Sequence, residues 1–340
     1  MPMLTLDDVY ALAHVALVEA GCSPDNAGAI ARLLQKAERD GAASHGLFRL
    51  PGYLKALRNG HVSGGAVPEI SRPAPGIVRV DAKRGFAPLA IERMVEPLSE
   101  AAASQGVAMA AIVNVHHFGA LWPEVELMAD NGLPAIAMTA ALPYVAPAGG
   151  AEAVYGTNPL AFAWPRKDQA PLAFDQAASA RARGDVMIAA RDGESVPEGV
   201  GLDAAGQPTT DPSAILNGGV QLPFGGYKGA AIAMMIELLA GPLIGERLSI
   251  EALDEPGGPE GMPLGGELIL AFDPKFTAGG DDWQGRSERL FSRIGEIPGT
   301  RLPGGRRHRN RGDAGPRDIP DAVIAAIDEA RKNDPELGWS

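Results

Sequence analysis

A hydroxyl, an imidazole and a guanidinium fall close together at Ser44, His45 and Arg49, in the run Ala43-Ser44-His45-Gly46-Leu47-Phe48-Arg49. An imidazole titrates near neutrality and can move a proton at physiological pH. A guanidinium fork can hold a carboxylate through two parallel hydrogen bonds. The combination points to acid–base chemistry on a small carboxylate, although the residues alone also fit a plain cap or turn after a helix. Two further carboxylates, Asp175 in Phe174-Asp175-Gln176-Ala177 and Asp185 in Arg183-Gly184-Asp185-Val186, sit on stretches that read as loop. Asp185 could fold back to orient a histidine, as the acid of a catalytic triad does, or be a solvated turn residue.

Other chemistries find less support. His116 and His117 are adjacent, so their side chains diverge on a strand. With no H-x-x-x-H and no cysteine pair, a metal site is not expected. No G-x-G-x-x-G follows a strand, and there is no Walker A motif. The glycine cluster Gly225-Gly226-Tyr227-Lys228-Gly229 precedes an apolar helical pattern. It reads equally as a phosphate-holding helix start or as a tight turn.

Helices must carry the first of these groups. Thr5 and Asp8 make a capping pair, followed by Val9, Leu12, Ala13, Ala16 and Leu17 at helical spacing up to Gly21. Ser23-Pro24 opens a second helix, with Ile30, Leu33, Leu34 and Ala37 on its apolar face, that stops at Gly41 just before Ser44. A short third helix runs over Tyr53 to Leu57. From about residue 75 the pattern mixes. Strands are predicted at 77–80, 107–115, 135–139, 160–164, 172–174 and 268–272, and helices at 87–104, 123–130 and 228–239. A final helix over 321–332 is placed to return against the N-terminal helices. Residues 192–219 and 256–266 read as long irregular stretches. The pattern predicts an α/β or α+β body.

Composition bounds the class. With 30 Lys+Arg against 42 Asp+Glu the net charge is −12, which disfavours nucleic acid and anionic membranes as partners. Cys22 is the only cysteine, so no intrachain disulfide forms, which suits a reducing cytosol. The start lacks the basic and apolar regions of a signal peptide. The most apolar stretch, 229–245, contains Glu237 and Pro242 and reads as a buried helix.

Taken in order, Ala43-Ser44-His45-Gly46 with Arg49, His117-Phe118-Gly119, Tyr155-Gly156-Thr157-Asn158-Pro159-Leu160-Ala161-Phe162, Phe224-Gly225-Gly226-Tyr227-Lys228-Gly229 and Arg301-Leu302-Pro303-Gly304 form a known series. It spans nearly the whole chain and resembles the malate/L-lactate dehydrogenase family that is unrelated to the Rossmann-type lactate dehydrogenases. Ala120-Leu121-Trp122-Pro123 and Gly184-Asp185-Val186 are similar to the Δ1-piperideine-2-carboxylate/Δ1-pyrroline-2-carboxylate reductase branch.

The resemblance implies a non-Rossmann nicotinamide-binding domain with a mixed, largely antiparallel sheet over 76–311. It implies a homodimer. The helical start and the returning last helix lead to the expectation of a helical domain from 1–75 with 312–340, in a cytoplasmic protein. Ser44, His45 and Asp185 inherit a catalytic relay, and Arg49 and Thr157 inherit substrate contacts. Cofactor contacts are implied at His117, Phe118, Gly119, Ala120, Leu121 and Trp122, and at Asp175, Gln176, Ala177, Tyr227 and Lys228. They are implied also at Gly304, Gly305, Arg306, Arg307, His308, Arg309 and Asn310. NADPH is the implied cofactor, with NADH possible, and the basic run Arg306-Arg307-His308-Arg309 is a candidate for the adenosine 2′-phosphate.

The implied reaction is reduction of a cyclic ketimine to L-proline or L-pipecolate, with His45 as proton donor. The alternative within the family is a 2-hydroxy-acid dehydrogenase acting on lactate, malate, sulfolactate or ureidoglycolate. A serine hydrolase built on Ser44 lacks the G-x-S-x-G elbow. A binding protein without catalysis is disfavoured by the intact His45, Arg49 and Asp185.

Overall fold

The computed structural model describes residues 2–117, 119–254 and 263–332. At its centre is a seven-stranded sheet. In spatial order its strands are Glu69–Ala74, Ile77–Phe86, Val107–His116, Leu264–Phe272, Ala135–Thr139, Leu160–Arg166 and Gln169–Gln176. Neighbours run antiparallel except Ile77–Phe86 and Val107–His116, which are parallel. A parallel pair needs a long crossover, and the helix Ala87–Gln105 supplies it. The sheet is mixed and largely antiparallel.

Helices cover both faces. Met94 and Leu98 of the crossover helix and Val125 and Met128 of the helix Trp122–Asp130 pack on Val78, Val80, Ile112 and Ile269. Ile236 and Ala240 of the helix Tyr227–Ala240 pack on Ala111, Val113, Met138 and Leu268 on the opposite face. Strands buried on both faces read as continuous apolar runs, which is how Ala108–Val113 and Leu268–Ala271 appear in the sequence.

A separate helical layer joins the chain ends. Val9 and Leu17 of Leu6–Glu19, Ile30 and Leu34 of Pro24–Asp40, and Tyr53 and Leu54 of Leu50–Arg58 enclose Val323 and Ile327 of Asp321–Arg331. The returning C-terminal helix is therefore where the periodicity put it. Thr5 and Asp8 form a reciprocal capping box, and the Ser23 hydroxyl accepts from Asn26 N. Glu69–Ala74, on the helical side of position 75, pairs with Ile77–Phe86 in the main sheet.

Three expectations need correction. Asp175 and Asp185 are not on loops: the first lies in the strand Gln169–Gln176, the second in the first turn of the helix Arg183–Asp192. That helix buries only Gly184, Val186 and Ala189, too sparse a face to show as periodicity. Residues 192–219 hold the helix Pro212–Leu216 and two strands of a small sheet, Gly201–Leu202 and Pro208–Thr209, with Val220–Gln221 as third strand. Two-residue strands leave no alternation to read; Val186, Val196, Val200 and Ile215 give the unit its own core. Third, the apolar helix Tyr227–Ala240 is only half buried: Met234, Met235 and Leu238 are exposed. The irregular stretch expected at 256–266 lies mostly outside the described residues. Its end, from Leu264, is strand.

Candidate active site

The Ser44–His45 turn is fixed by the helix before it. Pro24–Asp40 ends at Gly41 in the left-handed region, φ 71°. The left-handed backbone is what calls for glycine there; a Cβ would in addition crowd the Asn310 side-chain amide. Two short 3₁₀ turns follow, Ala43–His45 and Leu47–Arg49, joined at Gly46. A Cβ on Gly46 would lie 2.0 Å from Glu38 Oε1, the oxygen that accepts from Leu47 N at 2.7 Å. The buried Glu38 carboxyl thus holds the second turn against the helix end. Nothing in the local sequence announces this role, because it exists only once the chain doubles back.

Within the turn the Ser44 hydroxyl lies 3.1 Å from His45 Nδ1. When Ser44 donates, the neutral ring carries its proton on Nε2. Arg49 Nε donates to Ser44 O at 2.7 Å, which ties the guanidinium to the same turn. The helix Arg183–Asp192 closes from the other side: a Cβ on Gly184 would meet an Arg49 terminal nitrogen at 2.7 Å and Ser44 Cβ at 3.2 Å. A side chain before Asp185 would crowd the Arg49 guanidinium and Ser44.

Asp185 lines the same cavity, and its electrostatic partner is Arg49, whose charged form it favours. Among the described residues Asp185 is not hydrogen-bonded to His45. Burial, then Arg49 and His117, push His45 down to about 3, so the ring is neutral across the physiological range. Trp122 meets His45 edge to face with ring centres 6.2 Å apart.

These groups open on one cavity of about 820 Å³. It brings together Ser44, His45, Arg49, Thr157 and Asp185 with His117, Gly119, Ala120, Leu121, Trp122, Asp175, Gln176 and Ala177, and with Arg306 and Arg307. Phe118 lies outside the described residues. Tyr227 and Lys228, at the start of the half-buried helix Tyr227–Ala240, are not part of this lining, nor are Gly304, Gly305, His308, Arg309 and Asn310. Asn310 instead donates to Asp40 O at 3.0 Å, a structural contact.

The Thr157 segment is held by its neighbour. Asn158, at φ 35° and fully buried, donates to Ala233 O at 3.0 Å and Glu237 Oε2 at 2.6 Å and accepts from Ala141 N at 3.2 Å. Asparagine tolerates the left-handed region and supplies donor and acceptor together.

The cavity suits a nicotinamide nucleotide. Its volume falls in the range of small-molecule and cofactor sites. Arg306 is exposed at its edge. Arg307 stacks over Trp122 at 5.1 Å and donates to Ala173 O at 2.6 Å, while its buried Nε has no partner. Asp175 lines the same cavity; burial raises its carboxyl, and the Arg307 charge opposes that rise.

Several working residues were not singled out from the sequence. Asp40, fully buried, accepts from Trp122 Nε1 at 3.0 Å and Arg311 Nε at 2.8 Å, and Arg311 also reaches Glu126 at 2.9 Å. This network joins the helix Pro24–Asp40 to the wall of the cavity. Arg183 lies 3.7 Å over the Tyr144 ring beside the Arg49 site. His117, Glu124 and Glu267 each place one ligand atom within 4.8 Å of the others, a spacing that adjacent histidines in the sequence did not foretell. The readable signal was Glu267, a carboxylate in the apolar run Leu264–Phe272.

A mixed sheet without a dinucleotide fold, with a histidine and an arginine on one turn at a nucleotide-sized cleft, fits a non-Rossmann oxidoreductase. Comparison with known proteins agrees. The sequence profile of the malate/L-lactate dehydrogenase family matches residues 4–327, and the chain belongs to that family. It is 47% identical over 310 residues to a Δ1-pyrroline-2-carboxylate reductase of Pseudomonas fluorescens, covering 91% of this chain and 92% of the relative. The crystal structure of Δ1-piperideine-2-carboxylate reductase from Pseudomonas syringae pv. tomato superposes with a TM-score of 0.90 at 41% identity, covering 97% of this chain and all of the other. Sulfolactate dehydrogenase from Methanocaldococcus jannaschii shares the fold, with a TM-score of 0.86, 28% identity and 97% coverage of both chains.

Proposed function

We propose that this protein reduces cyclic ketimines, Δ1-piperideine-2-carboxylate and Δ1-pyrroline-2-carboxylate, to L-pipecolate and L-proline, with NADPH as reductant. The observation that carries it is the Ser44–His45–Arg49 turn opening on the cleft, in a chain so similar to reductases named for those substrates. The bound nicotinamide supplies the hydride. Arg49 holds the substrate carboxylate beside the C=N bond, so that the reacting carbon is fixed before chemistry. His45 delivers the proton to the ring nitrogen, and Ser44 orients its ring. The substrate carboxylate has a second effect: burial depresses His45 most, and the bound carboxylate offsets the smaller contribution of the Arg49 charge, which eases protonation of His45. Asp185 balances Arg49 from the opposite helix.

The test compares NADPH consumption with the two cyclic imines against pyruvate and oxaloacetate. Faster turnover of the imines is expected; the opposite ranking moves the protein to the 2-hydroxy-acid dehydrogenase reading, favoured by the likeness to sulfolactate dehydrogenase. Arg49→Ala is expected to raise the substrate KM roughly 10- to 150-fold, the equivalent of the 1.5–3 kcal/mol of a charge-assisted contact. An unchanged KM would place the carboxylate elsewhere.

For cofactor choice, Arg306 is the better candidate for the 2′-phosphate, because Arg307 is engaged with Ala173 and Trp122. Arg306→Ala is expected to cut the preference for NADPH over NADH by about tenfold, as loss of one exposed charged contact does. Equal preference before and after would remove that assignment. The remaining cofactor contacts are proposed at the cavity-lining positions 117–122 and 175–177.

The exposed Met234, Met235 and Leu238 face suits a homodimer contact. The division into a helical part, 1–75 with 312–340, and a cofactor-binding part, 76–311, is proposed with it, in a cytoplasmic setting.

A further inference from the structure

The reaction as described leaves one cation of the cleft unused. Arg183 opens the helix Arg183–Asp192, and its guanidinium lies 3.7 Å over the Tyr144 ring, with both residues on the cavity wall. Among the described residues Tyr144 is the one partner of that guanidinium, and no carboxylate pairs with it. Asp185 follows two residues on, but side chains at that spacing on a helix do not face each other, and the Asp185 charge acts on Arg49.

A guanidinium stays charged inside a protein. Stacking on an aromatic ring fixes its plane, and a single phenol oxygen cannot satisfy all of its N–H donors. A planar fork held in this way on a cavity wall is suited to a carboxylate. Arg49 faces it across the same cavity: a Cβ on Gly184, next to Arg183 in the chain, would lie 2.7 Å from an Arg49 terminal nitrogen. The two arginines thus have one carboxylate, Asp185, between them. A substrate with a single carboxylate, held by Arg49, leaves Arg183 without an anion. The walls also extend beyond the Ser44–His45 turn. Met187 and Ile188 on the helix of Arg183, and Gly52 and Lys55 on Leu50–Arg58, line the same cavity.

We propose that Arg183, seated on Tyr144, is a second carboxylate subsite, and that the cleft takes cyclic imines bearing a second carboxylate besides the one next to the C=N bond. What happens to the bound diacid rests on the reductive reading; its binding does not. Arg49 holds the carboxylate beside the reacting carbon and Arg183 the far one. With both ends fixed, the ring cannot pivot about Arg49, and one face of the C=N carbon is presented to the hydride. No bond forms or breaks at Arg183.

Calorimetric titration of the full chain, with and without NADP+, tests this with acids that give no turnover. Pyridine-2-carboxylate is compared with pyridine-2,4-dicarboxylate, pyridine-2,5-dicarboxylate and pyridine-2,6-dicarboxylate in metal-free buffer. At least one diacid is expected to bind about tenfold or more tighter than the monoacid, as one added charge-assisted contact does. In Arg183→Gln that ratio is expected to fall to within about twofold of unity, with Arg183→Lys, which keeps the charge but loses the fork, in between. Arg49→Gln is expected to weaken all four acids. Loosening of the site alone would weaken them alike and leave the ratio in place.

Diacids that bind no tighter than the monoacid overturn the proposal, as does a preference that survives Arg183→Gln. A weaker NADP+ affinity in Arg183→Gln with the acid ratio intact overturns it in favour of a cofactor contact. The expected ratios in a protein that reduces no cyclic imine, with one carboxylate or two, uphold the subsite and condemn the substrate reading instead.

Discussion

Replacing His45 with alanine is expected to lower kcat by about 10²- to 10⁴-fold, while the NADPH dissociation constant stays within about twofold. The span is that of removing a positioned proton donor. The binding constant is spared because His45 sits at the reacting end of the cleft, on the Ala43–His45 turn, whereas the proposed phosphate contact is at Arg306. Single-turnover kinetics and fluorescence titration separate the two. A variant that loses NADPH binding but keeps turnover at saturation would contradict the assignment.

The same variant has a stability signature. His45 is held at about 3 when folded and titrates near 6.5 when unfolded. Between those values the unfolded chain binds a proton that the folded chain refuses, so stability falls as pH drops through this window. His45→Ala removes that contribution, and its acid unfolding midpoint is expected to shift to lower pH once differences at neutrality are subtracted.

Asp40→Ala is expected to cost about 3–5 kcal/mol of stability, measured by urea unfolding. Asp40 is fully buried and accepts from Trp122 Nε1, Arg39 and Arg311 together. Burial alone would raise its pKa, but the two arginines outweigh this and hold the carboxyl below its ordinary range. Truncation leaves the Trp122 N–H unpaired and Arg311 facing Glu126 alone. The effect should reach the site, since Trp122 is the ring against which both His45 and Arg307 rest. A loss of less than about 1 kcal/mol would mean that water takes over the Asp40 bonds. Because a depressed carboxyl stabilises only when ionised, the difference between wild type and Asp40→Ala should shrink as pH falls through the ordinary carboxylate range.

The sequence by itself determined the elements with local causes. The capped helices before Ser44, the turn after Gly41, the apolar strands at 107–115 and 268–272 and the returning C-terminal helix follow from caps, glycine and periodicity. The ordered motifs also fixed the family, and with it Ser44, His45 and Arg49, because those residues stand within one short run.

Tertiary structure decided what joins residues far apart in the chain. Asp185 reaches the site because its helix packs on Ser44 and Arg49 across Gly184, and its charge falls on Arg49 rather than in a hydrogen bond to His45. Glu38 and Asp40 carry no signature in spacing. Their roles come from burial opposite particular partners, and burial and electrostatic coupling are set by how the layers pack, which a linear pattern of residue types does not encode.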